Sequence, residues 1–233
     1  MTASAGPDLA ELLARTTYLL LDFDGPVCSV FAGRSSRSIA IELLDLLRTA
    51  NAPVPAGLED TGDPLEVLRH AATVDAQLLE RVERDLRVAE VDATRTAKPT
   101  PHASELIDVW RQRGRRVAIV SNNSSAAITA YLAAHDIDID AVMGRTSPDP
   151  GLLKPSPHLV AEAMRALDAD PDPDANVLVG DSVSDVIAAR EAGIRSIGYA
   201  NAAGKRRALS DAGATIVVDD MATLSEAAAA ERS

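Results

Sequence analysis

Two aspartates one residue apart, Asp22 and Asp24, stand where an unbroken apolar run, Tyr18-Leu19-Leu20-Leu21, gives way to Gly25-Pro26. Gly and Pro stop a strand and open a turn. Side chains alternate along a strand, so the two carboxyls share a face wherever the backbone stays extended. Carboxylates this close repel each other unless a cation or a shared proton relieves them. Aspartate is also common where loops begin, so the pair alone is ambiguous. Three further stretches add complementary groups. Val117-Ala118-Ile119-Val120 ends in Ser121-Asn122-Asn123-Ser124, Lys154-Pro155-Ser156-Pro157 comes later, and Val177-Leu178-Val179 ends in Gly180-Asp181-Ser182-Val183-Ser184-Asp185. Singly, each has a bland explanation. Ser121 and Asn123 suit helix caps, Ser184 and Asp185 suit a helix N-terminus, and Lys154 reads as a solvated lysine. Asp181 is harder to dismiss, because it follows an apolar run and a glycine.

The elements that must position these groups follow from the same runs. Apolar stretches without alternation suit strands buried on both faces, as in a parallel sheet covered by helices. Open sheets of that kind hold ligands at the carboxyl ends of their strands. A short helix from Pro7 to Arg15 leads into the first strand. From Ser29 to about Thr96 no strand-like run occurs, and helical spacing appears at Ile39, Leu43, Leu44 and Leu47, at Leu65 and Leu68, and at Leu78, Val82 and Leu86. Asn51 to Asp63 reads as a loop rich in Pro and Gly. Lys98 to Pro101 returns the chain, Ser104 is expected to cap the next helix, and Gly114 closes it. A helix from Ser125 to His135, a brief strand at Ala141–Gly144, and a helix opened by Pro155 and Pro157 follow. After the strand at 176–179 come a helix from Asp185 to Ala192 and strands at 196–199 and 215–218. Ala227 to Ser233 reads as a frayed tail. Strands alternating with helices imply a parallel sheet with helices on both faces.

The chain has 233 residues, enough to bury a core, and 46% of them are hydrophobic, which excludes a disordered chain. Only 3% are aromatic, so the core is built from Ala, Leu, Val and Ile. A net charge of −12 makes nucleic acid and anionic membranes poor partners. No apolar run reaches the length of a membrane span, and no basic-then-apolar leader opens the sequence. The single cysteine, Cys28, cannot form an internal disulfide, so a cytoplasmic setting is expected.

The order D-x-D-G, S-N, K-P, G-D-S-x-x-D, at the residues quoted above, resembles the haloacid dehalogenase-like hydrolase superfamily. The resemblance runs from about Thr16 to about Asp220. It implies a three-layer α/β/α Rossmann-like core with a parallel sheet, in residues 1–28 and 97–233. It also implies a small all-helical cap domain in residues 29–96. It implies a Mg²⁺-dependent phosphatase acting on a small soluble phosphorylated metabolite, with Asp22 as nucleophile and Asp24 as general acid and base. By the same match, Lys154 neutralises charge, Ser121 and Asn122 bind the phosphate, and Asp22, the backbone carbonyl of Asp24, and Asp181 hold the metal. Asp185 supports this cluster or Lys154 from behind. Pro26 departs from the family pattern, which usually has Thr or Val there. A phosphosugar mutase shares these motifs, and a non-catalytic binding protein could keep the fold. A dehalogenase fits less well, because that branch lacks the acid at Asp24. Arg34 and Arg37 are candidates for an anionic substrate group, against the simpler reading of a solvated helix face. Which ester, and which oligomeric state, the sequence leaves open.

Overall fold

In the computed structural model, which describes residues 8–230, α1 (Leu9–Arg15) leads into β1 (Tyr18–Leu21). The first expected helix therefore begins two residues later than Pro7, which lies outside the described residues. A two-residue strand β2 (Cys28–Ser29) follows, then four helices: α2 (Ser36–Thr49), α3 (Ala56–Glu59), α4 (Pro64–Val74) and α5 (Ala76–Thr94). The chain returns through β3 (Lys98–Pro99), which pairs antiparallel with β2. Helices and strands then alternate: α6 (Ala103–Gln112), β4 (Arg116–Ser124), α7 (Ser125–Ala134), β5 (Ala141–Arg145), α8 (His158–Ala166), β6 (Asn176–Gly180), α9 (Val183–Glu191), β7 (Arg195–Tyr199), α10 (Lys205–Asp211), β8 (Ile216–Val218) and α11 (Met221–Ala230).

Six strands form one parallel sheet in the order β5-β4-β1-β6-β7-β8. β1 is central, and its neighbours explain the missing alternation in its sequence. Leu19 and Leu21 join one apolar cluster with Trp110, Ile119, Val179 and Met221, while Leu20 joins another on the opposite face. Both faces are dry, so every position of β1 is apolar. The second cluster runs without a break from Leu20, Ala118 and Leu178 into Ile39, Leu43, Val67, Leu68 and Leu86 of the inserted helices. Leu21 is in register with Ile119 of β4 and with Val179 of β6. The ends of three strands therefore meet at the point where the strand order reverses, which is where such sheets bind ligands.

Several local expectations differ from the fold. Ser104 does not cap α6; the helix starts at Ala103 after His102, whose φ is +63°. Pro155 and Pro157 do not lie in the first turn of α8, which starts at His158. A residue before proline is kept out of helical backbone, so Ser156 cannot join the helix. The loop from Asn51 to Asp63 contains the short α3. The ribbon of β2 and β3 and the helix α10 carry no strong local pattern and were not expected. The alanine-rich tail is helical to Ala230, with Ala228 fully buried, and the Arg113 guanidinium donates to the Ala229 carbonyl at 3.0 Å. Residues 231–233 lie outside the described residues.

Candidate active site

The turn after β1 is closed by its own backbone. Val27 and Cys28 donate to the Phe23 carbonyl, at 3.3 and 3.1 Å, and Gly25 donates to the Cys28 carbonyl at 2.7 Å. Pro26 has no N–H to donate and sits where none is needed. The returning ribbon braces the turn: the Thr100 hydroxyl donates to the Gly25 carbonyl at 2.5 Å. Gly25 has φ +115°, and a Cβ there would lie 2.6 Å from Asp181 Oδ2, so only glycine fits. Burial pushes the Cys28 thiol pKa up, so this cysteine is not a reactive thiolate.

Lys154 is the electrostatic centre. Its side chain is 2% exposed, and its ammonium lies 2.9 Å from Asp22 Oδ1 and 2.5 Å from Asp185 Oδ1. It also donates to the Val120 carbonyl at 2.8 Å. An ammonium has three donors, and three acceptors surround it. Burial works against its charge, but the carboxylates of Asp185 and Asp22 outweigh burial and raise its pKa. Asp22 Oδ1 also accepts from the Phe23 N–H at 2.7 Å. Burial raises Asp22 to about 7; Lys154 opposes that shift, and Asp185 and Asp181 add to it.

Asp24 is less tightly held. Its Oδ1 accepts from the Val30 N–H at 2.9 Å. Burial raises its pKa to about 6, partly offset by that hydrogen bond. A carboxyl poised there can give and take a proton near neutral pH. Asp22, Asp24, Ser121, Asn122, Lys154, Asp181 and Asp185 all line one cleft of about 340 Å³.

The fold also gives these residues contacts with one another. The Asn122 amide is committed to the main chain of Lys154: it accepts from the Lys154 N–H at 2.7 Å and donates to the Lys154 carbonyl at 3.0 Å. It thereby holds the lysine's loop through one of its two amide donors while still lining the cleft. The Ser121 hydroxyl donates to Asn123 Oδ1 at 3.2 Å. Oxygen atoms of Asp22, Asp181 and Asp185 lie within 4.8 Å of one another. Hard carboxylate oxygens at this separation suit a divalent ion such as Mg²⁺. The carboxylate joining Asp22 and Asp181 in that group is Asp185, while the Asp24 carboxylate turns to Val30.

Four residues near the site escaped the sequence reading. Asn201 Nδ2 donates to Asp181 Oδ2 at 3.0 Å, and the Lys205 ammonium pairs with the same oxygen. Both follow β7, so the end of a strand beside β6 was the available signal. Arg145, at the end of β5, forks onto Glu90 of α5, with Nη2 to Oε2 at 2.9 Å. Arg34 pairs with Glu42 at 2.6 Å and Asp92 at 3.3 Å, and Arg37 donates to the Asp60 carbonyl, so both lie on a solvated face.

The family model of the haloacid dehalogenase-like hydrolases matches residues 19–193. The chain belongs to this hydrolase family. A comparison with curated proteins gives no match. Among solved structures, a predicted phosphatase from Clostridium acetobutylicum aligns with TM-score 0.69 and 20% identity, covering 91% of this chain and 97% of that one. A hydrolase from Pseudomonas syringae aligns at 0.66 and 21%, covering 88% and 94%. CbbY from Rhodobacter sphaeroides, in complex with phosphate, aligns at 0.65 and 20%, covering 90% and 96%. These likenesses show a shared fold. Among the described residues, no helix is long and apolar enough to cross a membrane.

The raised carboxyls have a sign that stability measurements can read. Burial raises the pKa of Asp22 to about 7 and that of Asp24 to about 6, both above the ordinary carboxylate value of 3.8. Over that interval the folded state binds more protons than the unfolded one, so these groups lose stability as pH rises. With a chelator present, the melting temperature should fall between pH 5 and pH 8. Asp22→Asn should flatten that slope. Added Mg²⁺ should raise the melting temperature more at pH 8 than at pH 5, because it binds the ionised, folded cluster. Equal Mg²⁺ effects at both pH values would show that the ion does not bind these carboxylates.

Proposed function

We propose that this hydrolase is a Mg²⁺-dependent phosphatase that cleaves a small soluble phosphomonoester through an aspartyl-phosphate on Asp22. The observation that carries this reading is the buried Lys154 ammonium between Asp22 and Asp185, at a cleft that also receives Asp24, Ser121 and Asp181. The phosphatase and the phosphate complex among the similar folds support it. Residues 1–28 and 97–233 form the catalytic core in this reading, and 29–96 form the cap. The antiparallel pairing of β2 with β3, which brings Cys28 and Ser29 beside Pro99 and Lys98, supports these limits. A cytoplasmic setting fits the buried, unpaired Cys28.

In this mechanism the Asp22 carboxylate attacks phosphorus and the bond to the ester oxygen breaks. Asp24 gives that oxygen its proton. The Asp24 carboxylate then takes a proton from water as the water attacks the phosphorylated Asp22. Phosphate leaves and Asp22 is restored. Lys154 keeps Asp22 in place and offsets the charge gathering on the transferred group. The Ser121 hydroxyl binds a phosphoryl oxygen. Asp22, Asp181 and the backbone carbonyl of Asp24 would hold Mg²⁺, with Asp185 behind them. When bound, the ion supplies the positive charge that relieves repulsion between the carboxylates and the phosphate.

The deciding experiment is a panel of phosphate esters assayed with and without Mg²⁺. Release of inorganic phosphate that stops on chelation and resumes with Mg²⁺ supports the reading. A phosphoryl group retained on an isomerised product would make the protein a mutase. Turnover in excess chelator would remove the metal from the mechanism.

The cap side of the cleft includes Phe31, Asp63, Leu65 and Arg69. Arg69 lines the cleft, whereas Arg34 and Arg37 do not. Its guanidinium lies 3.6 Å from Asp63 Oδ2, an ion pair longer than a hydrogen bond. Arg69→Gln should lower kcat/KM about tenfold or more for esters with a second anionic group, the scale of a charged hydrogen bond. Neutral sugar phosphates should change little. Equal effects on both sets of esters would leave Arg69 as part of the solvated surface.

A further inference from the structure

Helix α5 carries two acids seven residues apart, Glu83 and Glu90, and two helical turns place them on one face. Both are buried, at 5% and 2% exposure. They face Arg145, itself 2% exposed, at the end of β5. Arg145 Nη1 and Nη2 donate to Glu90 Oε1 and Oε2 at 3.1 and 2.9 Å. Glu90 Oε2 also accepts from the Ser124 N–H at 2.8 Å. Arg145 Nη1 reaches further, to the Asn122 carbonyl at 2.8 Å. That carbonyl lies in the interval between Val120 and Ser124 where the register of β4 and β5 shifts. The guanidinium thus supplies a donor inside an irregular stretch of the ladder. From Asn122 the contacts continue to the main chain of Lys154, and from Lys154 Nζ to Asp22.

A buried ion pair contributes little net stability against apolar residues of the same volume. Its distinctive product is geometry, because a bidentate fork fixes the angle as well as the distance. We propose that Glu90 and Arg145 are positioning residues. They fasten helix α5 to the irregular end of β4 at 121–124 and, through Asn122, hold the loop of the catalytic lysine. The inserted helices therefore set the geometry of Lys154 as well as covering the cleft. The role assigned to Lys154 rests on the phosphatase reading; the mechanical connection does not.

The test uses the full chain carrying Arg145→Lys, which keeps the charge and loses the fork, and Glu90→Gln, which keeps the shape and loses the charge. Amide hydrogen exchange read by mass spectrometry follows residues 121–124 and 152–156, with β1 and β6 as internal references. Both segments should exchange about tenfold faster or more, while the references stay at the wild-type rate. On any ester that the wild type hydrolyses, kcat should fall about 10- to 100-fold with KM within about threefold, as expected when a catalytic group is displaced by an ångström or less. If a single variant fails to fold, Glu90→Met with Arg145→Met removes both charges together, and Glu83 keeps Arg87 as an ion partner at 3.9 Å. That double variant should fold and still show fast exchange at 152–156. Wild-type exchange at 152–156 in a folded variant overturns the proposal, as does wild-type kcat. A wild type inactive on every ester would defeat the phosphatase reading alone, and the exchange result would still decide this one.

Discussion

Asp24→Asn should lower kcat by about 10²- to 10⁴-fold on alkyl phosphates, the usual range for losing a general acid and base. The substitution keeps size and retains an oxygen to accept the Val30 N–H, which Asp24 Oδ1 now does at 2.9 Å, so the turn should persist. What disappears is a titrating group, raised by burial to about 6. An alkoxide leaves poorly without a proton, so the first step should slow severely. A nitrophenolate hardly needs one, so that step should suffer less on nitrophenyl phosphate. Hydrolysis of the aspartyl-phosphate would still lack its base, and phosphorylated Asp22 should accumulate. Rapid quench followed by mass spectrometry of the intact protein would detect the adduct. Equal turnover by wild type and variant on good and poor leaving groups would exclude Asp24 as the acid.

Lys154→Ala should fail in both chemistry and folding, for one electrostatic reason. Lys154 is the ion-pair partner of both Asp22 and Asp185, and all three are buried. Removing one side of such a cluster leaves uncompensated charge, typically a loss of about 3–5 kcal/mol. The loss depends on pH. Without the ammonium, the Asp22 carboxyl loses the charge that opposes its upward shift and keeps its proton to higher pH, so folding suffers most where its ionisation is forced and recovers in acid. The melting temperature in chelator should therefore drop much more at pH 8 than at pH 5. In the protein that remains folded, kcat should fall about 10²-fold or more, the scale of one lost electrostatic stabiliser. A variant that melts like the wild type at pH 8 and keeps its kcat would make Lys154 an ordinary lysine.

The acids at strand ends were legible because their signals are local. β1 is apolar at every position since both faces of the sheet are covered, and Gly25-Pro26 stops it beside Asp22 and Asp24. The same pattern of apolar run followed by polar turn located Ser121 and Asp181. Local rules misplaced Ser104 as a cap and drew Pro155 and Pro157 into a helix, because competing backbone geometry at His102 and Ser156 decided those boundaries. The tail at 227–230 looked frayed because alanines carry no amphipathic stripe; packing against Arg113 orders it.

By itself the sequence determined which strands end in which chemical groups, and hence a sheet whose central edge gathers Asp22, Ser121 and Asp181. Only the tertiary structure decided which distant charges meet. Arg145 and Glu90 are 55 positions apart, and Lys205 lies 24 beyond Asp181. Nothing in either neighbourhood requires the other. Arg69 of α4 reaches the cleft, and Arg34, just ahead of α2, does not, because of how α2 and α4 pack against each other and against α5 rather than their spacing in the chain. Asn122 likewise carries no mark of whether its amide faces a phosphate or a neighbouring loop. That depends on where the Lys154 backbone comes to lie, and long-range packing alone places it.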